Sequence, residues 1–134
     1  MKQSIFFLFI LLSIKSTAQK APTDSLVLDQ QIFTKVEKEP QPPLSWQEFL
    51  KGNLNTPKVF KNNAPVGTYT VVIRFVVWKD GSISDFAAET KVGYGLEQEC
   101  MRVLKLSPKW IPALQNDRQV NCYKRQAFNF VSNE

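Results

Sequence analysis

The sequence predicts an α+β fold, and three features carry that expectation. A β-branched and aromatic run from Tyr69 to Trp78 ends on Lys79-Asp80-Gly81-Ser82 and is followed by a second extended stretch, the pattern of a tight hairpin. Two segments, Trp46 to Leu54 and Leu96 to Leu106, place apolar residues at helical spacing. A final alternating run, Val120 to Val131, supplies a third strand. One helix packed on a three-stranded antiparallel sheet, with an extra short helix ahead of it, is the economical arrangement of these parts.

The chain opens with Lys2, the apolar run Ile5 to Leu12, and the small residues Ser16-Thr17-Ala18, the pattern of a signal peptide cleaved after Ala18. A membrane-spanning helix needs about 20 mostly apolar residues. This stretch reaches only Ile14 before Lys15, so residues 1–18 are expected to direct export and to leave no stable membrane span. Cleavage leaves fifteen cations against twelve acids, a formal +3. They are interspersed rather than gathered on a stripe, which argues against nucleic acid as a partner.

Residues 19–43, with Pro22, Pro40, Pro42 and Pro43, read as an extended leader. Within it Gln31 to Glu37 alternates apolar and polar residues, which suggests a short strand docked on the edge of a domain occupying residues 44–134. Ser45-Trp46-Gln47-Glu48 has the form of a capping box. Trp46, Phe49, Leu50 and Leu54 then form one apolar face, Pro57 stops the helix, and residues 58–68 read as a loop.

On the first hairpin strand Val71, Ile73, Phe75 and Val77 share the purer core face. Thr70, Val72, Arg74, Val76 and Trp78 share a face expected to be partly wet. The returning strand runs from Ile83 to about Thr90. Gly93-Tyr94-Gly95 leads into the second helix, whose inward stripe is Leu96, Cys100, Val103 and Leu104. Ser107-Pro108 ends it, Pro108 to Pro112 forms a rigid crossing segment, and Gln115 to Arg118 is a turn. The last strand sets Val120, Cys122, Lys124, Gln126, Phe128 and Phe130 on one face.

Nothing in the chain assembles catalytic chemistry. There is no His, no CxxC pair, and no nucleophile-elbow, phosphate-loop or zinc-protease motif. Asp80 falls in a turn, Asp85 in a hairpin strand, and Glu97 and Glu99 on the outward helix face, where carboxylates are expected to be solvated. No catalytic residue, metal or cofactor is therefore expected. An oxidising compartment would allow Cys100 and Cys122 to form a disulfide; two inward-facing apolar thiols fit the same positions.

Taken together, several segments resemble the C-terminal domain of the energy-transducer TonB family. They are Phe33 to Pro40, Val71 to Ile83, Gly93-Tyr94-Gly95-Leu96-Glu97, Pro108-Lys109-Trp110-Ile111-Pro112 and Phe128-Asn129-Phe130, and the resemblance covers about residues 32 to 131. It implies a β-β-α-β domain in the periplasm that touches an outer-membrane transporter or another envelope protein. It also implies that the last strand is an edge beside which an extended partner segment adds. Carried onto this chain, that edge runs from Asn121 to Val131, with Asn121, Tyr123, Lys124, Arg125, Gln126 and Phe128 as its partner-binding residues. A second copy of the chain is the other candidate partner.

The chain departs from the family in having no His, a short hydrophobic segment, and Thr56-Pro57 where the family has Tyr-Pro. A leader of about 25 residues spans at most about 3.3 Å per residue. These departures favour a detached binding module over an anchored energy transducer with a short anchor. A structural envelope protein associated with peptidoglycan, using the face around Val72, Val76 and Trp78, is the alternative of a different class.

Overall fold

The computed structural model describes residues 29–133. The signal-peptide reading of residues 1–18 and the first part of the leader lie outside them. Among the described residues no helix is long and apolar enough to cross a membrane.

The fold is α+β. Among the described residues the elements follow one another as β1 (Ile32–Phe33), α1 (Trp46–Asn53), α2 (Lys58–Asn63), β2 (Gly67–Val77), β3 (Ile83–Ala88), α3 (Leu96–Lys105), β4 (Ala113–Gln115) and β5 (Arg118–Ser132). The sheet order is β1-β5-β2-β3, with β4 paired to the start of β5. The sheet is mixed, and this corrects the expected three-stranded antiparallel one: β1 runs parallel to β5 while the other pairings are antiparallel. The two additional strands are short and depend on non-local pairing. Leader residues supply β1, and the stretch after the crossing segment supplies β4.

The strand β2 is the centre of the sheet. Its β-branched residues favour the extended state, and its inner face of Val71, Ile73, Phe75 and Val77 is completely buried. Against that face pack Leu96, Cys100 and Leu104 of the α3 stripe, completely buried as Val103 is, together with Trp46, Phe60, Trp110, Phe128 and Phe130. Aromatic edges interlock there: Trp110 meets Phe75 at 5.0 Å and Trp46 at 5.3 Å between ring centroids, both near T-shaped.

Gly81 lets the crossing segment close over the hairpin. Its φ is +85°, and a Cβ there would lie 2.4 Å from the Trp110 carbonyl oxygen. The Trp110 N–H donates to the Gly81 carbonyl at 2.8 Å, so the contact that carries Trp110 into the core needs a residue without a side chain.

Three local expectations are corrected. Ser45 makes no side-chain cap, and the first turn of α1 is instead joined by the Trp46 N–H donating to Pro43 O at 2.9 Å. Residues 58–63 are helical rather than loop, because Phe60 inserts between Tyr69, Tyr94 and Phe130 and only a helical turn after Pro57 delivers it there. Glu97 is buried rather than solvated, since its carboxylate accepts the backbone N–H groups of Val92 and Gly93 at the entry to α3.

The leader is part of the packed structure from β1 onward. Lys38 exchanges two backbone hydrogen bonds with Leu114, and Gln41 exchanges two with Ile111, at 2.9–3.1 Å. Pro40 between them is fully buried.

Candidate functional site

Which way the backbone of β5 points follows from β2. The Val72 N–H donates to Thr90 Oγ1 at 3.1 Å, and the Val72 carbonyl accepts from the Glu89 N–H at 2.9 Å, so both groups of Val72 face the β3 side. Backbone direction alternates along a strand, and Val71, Ile73 and Phe75 therefore face β5. Their partners are Phe128, Gln126 and Lys124, whose N–H and C=O groups complete that ladder. The residues between and beyond them, Arg125, Ala127, Asn129 and Val131, direct theirs away from β2.

On that outer side β1 covers only Asn121 and Cys122. From Tyr123 to Ser132 the one strand paired with β5 among the described residues is β2, and on the outer side the Ala127 carbonyl accepts from the side-chain amide of Gln126 at 2.9 Å. An edge of this length offers donors and acceptors at regular spacing to any extended chain.

The residues expected at the edge divide into three groups. Asn121 is buried and committed: its side-chain amide donates to the carbonyls of Asp29 at 2.9 Å and Gln31 at 3.2 Å, while its Oδ1 accepts from the Lys79 N–H at 2.9 Å. It is a clamp for β1, not a free edge residue. Phe128 is also buried, with its ring 6.4 Å from Trp46, and contributes to the core. Lys124 and Gln126 keep their side chains at the rim of the inner face but direct their backbones to β2. Tyr123 and Arg125 lie on the outer face, and the backbone of Arg125 belongs to the open side. Ala127, Asn129 and Val131 belong to the open side as well and are additions to the expected set. No residue pattern marks them, because the outward direction follows from the register with β2 and not from side-chain chemistry.

At the β1 end of the open edge lies a groove of about 420 Å³ lined by Thr34, Glu39, Arg74, Tyr123, Lys124 and Arg125. The leader forms one wall and strands β2 and β5 the other. The Arg74 guanidinium sits over the Tyr123 ring, 5.2 Å from its centroid. Arg125 Nε donates to both carboxylate oxygens of Glu89, at 2.9 and 2.7 Å, and this partner pushes the guanidinium pKa further up. Farther along, the side chains of Thr70 and Asn129 meet across the strands at 2.8 Å.

Cys100 and Cys122 are both buried free thiols, the second of the two arrangements that the sequence left open. Cys100 is committed to the core beneath α3, where burial, followed by the charges of Glu97 and Glu99, pushes its pKa up to about 12. Burial raises Cys122 too, and its thiol donates to Tyr123 O at 3.3 Å. A thiol held protonated in this way is a poor nucleophile and metal ligand.

No family model matches the chain, and no curated protein matches it at a significant level.

Proposed function

We propose that the chain is an exported binding module of the TonB C-terminal type, working in the periplasm, that takes up an extended segment of an outer-membrane transporter or another envelope protein by β-augmentation on β5. The observation that carries this reading is the open side of β5 from Tyr123 to Ser132, continuous in register with a central strand whose inner face is fully buried. Rigid support matters because the ordering cost of binding then falls mainly on the incoming segment. The same side of β5 already receives an extended segment, since Ile32 and Phe33 lie beside Asn121 and Cys122. With the three-residue β4 between α3 and β5 set aside, the chain order β2-β3-α3-β5 is compatible with the β-β-α-β plan that the sequence resemblance implies. The reading involves no catalysis and no cofactor.

The test is a proline placed by direction rather than by exposure. Ala127 is exposed and its N–H faces away from β2, so Ala127→Pro removes an edge donor and leaves the β2 ladder whole. A pull-down from envelope extract is expected to retain a transporter on the wild-type domain and to lose it on a folded Ala127→Pro variant. In the wild-type complex the amides of Arg125, Ala127, Asn129 and Val131 are expected to slow in hydrogen exchange. Undiminished capture by the folded variant, with no slowing of those amides, overturns the reading.

A further inference from the structure

We infer that the segment taken up on β5 runs antiparallel to it and ends there, its free C-terminal carboxylate lying in the groove of Thr34, Glu39, Arg74, Tyr123, Lys124 and Arg125. This rests on the reading of β5 as the docking edge and specifies which end of a partner the edge receives.

The open edge is shut at one end. The strand β1 lies on the side of β5 away from β2, and Asn121 fastens it through the carbonyls of Asp29 and Gln31. A segment beside Tyr123 to Ser132 thus meets the leader in its path, with Thr34 and Glu39 forming the wall of the groove at that point. A chain that continued would have to turn out of the sheet there. A chain that terminates fits without displacing β1.

Charge selects the terminus. Three cations and one carboxylate line the groove. Arg125 is engaged by Glu89, whereas Arg74 and Lys124 have no carboxylate partner among the described residues. An α-ammonium placed there meets like charge. An α-carboxylate meets a planar guanidinium already oriented by the Tyr123 ring, with paired N–H donors whose geometry matches two oxygens. A segment whose C-terminus lies beside Tyr123 and whose body extends toward Ser132 is antiparallel to β5, and it can exchange hydrogen bonds with the outward groups of Arg125, Ala127, Asn129 and Val131.

The experiment uses the exported chain from residue 19 onward and two displayed libraries of random decapeptides, one ending in a free carboxylate and one continuing into a Gly-Ser tail. Enrichment is expected from the free-ended library. Its best peptide, synthesised as the acid and as the amide, is expected to bind about tenfold more tightly as the acid. That ratio is expected to shrink in high salt and to approach one in the Arg74→Met, Lys124→Met double variant. Ala127→Pro should weaken acid and amide alike. Equal binding of acid and amide by the wild-type chain, or equal enrichment of the tailed library, overturns the inference; if that binding is still lost in Ala127→Pro, the docking edge itself stands. Failure of both libraries to yield a binder counts against the edge and the inference together.

Discussion

The two outer strands of the antiparallel core treat their unpaired backbone in opposite ways. The strand β3 is six residues long, and its pairing with β2 shifts register between Arg74 and Val76. Asp85, at a φ of 57°, is where two residues of β3 face one of β2, a bulge that bends the strand. The fifteen-residue β5 keeps one register with β2 from Cys122 to Ser132. Short length and a bulge are common ways to blunt an edge against unwanted pairing. One edge of this sheet has both and the other has neither. The difference is that β5 relies instead on charged side chains and on β1 at one end for its protection.

The largest expected effect separates the two sides of β5. Gln126→Pro breaks the ladder to β2 and is expected to cost about 3 kcal/mol or more, whereas Ala127→Pro, one residue along, should stay within about 1 kcal/mol of wild type in urea unfolding. A larger loss in Ala127→Pro than in Gln126→Pro would mean that the backbone directions are reversed. Next comes the hairpin that carries β3. Gly81→Ala combines a left-handed φ with a clash on the Trp110 carbonyl, and about 2–4 kcal/mol of stability should be lost, read by the same unfolding curves.

The bulge can be tested at its centre. A β-branched residue resists a positive φ, so Asp85→Val should lower stability by about 1–2 kcal/mol. Unchanged stability accompanied by new self-association in sedimentation would show instead that β3 has straightened into a second usable edge. The smallest effect concerns pH. The hydroxyl and backbone N–H of Ser82 hold the Asp80 carboxyl below its ordinary 3.8. A depressed folded pKa gives a contribution that is present above 3.8 and lost as pH falls through the folded value. Asp80→Asn should remove that contribution at neutral pH and flatten the acid limb of a stability profile below about 3.8, so that variant and wild type converge at the lowest pH.

How much of this was legible in the sequence depended on distance along the chain. The inner face of β2 and the stripe of α3 repeat every two residues or at helical spacing, and hydrophobic period alone identifies them; all eight residues are completely buried. Helix α2 was not legible, because Pro57, Asn62 and Asn63 carry loop propensities and only the tertiary role of Phe60 overrides them. The location of β5 could be read, but the outward direction of Ala127 could not, since that is a property of the pairing with β2. The groove was the least legible part. Thr34 and Glu39 reach Arg74 and Tyr123 because the leader docks parallel to β5; the alternation of Gln31 to Glu37 points to a docked strand but encodes neither its partner nor its direction.

The attachment of the leader has a mechanical consequence. Tension on the chain ahead of Asp29 is borne first by β1 and the Asn121 amide, a two-residue contact. Behind it stand the four backbone bonds of Lys38 and Gln41, with Pro40 locked between them. The fastening at β1 is thus the smaller of the two. Peeling β1 away would bare the outer side of β5 beside Asn121 and remove one wall of the groove, lengthening the edge at its closed end.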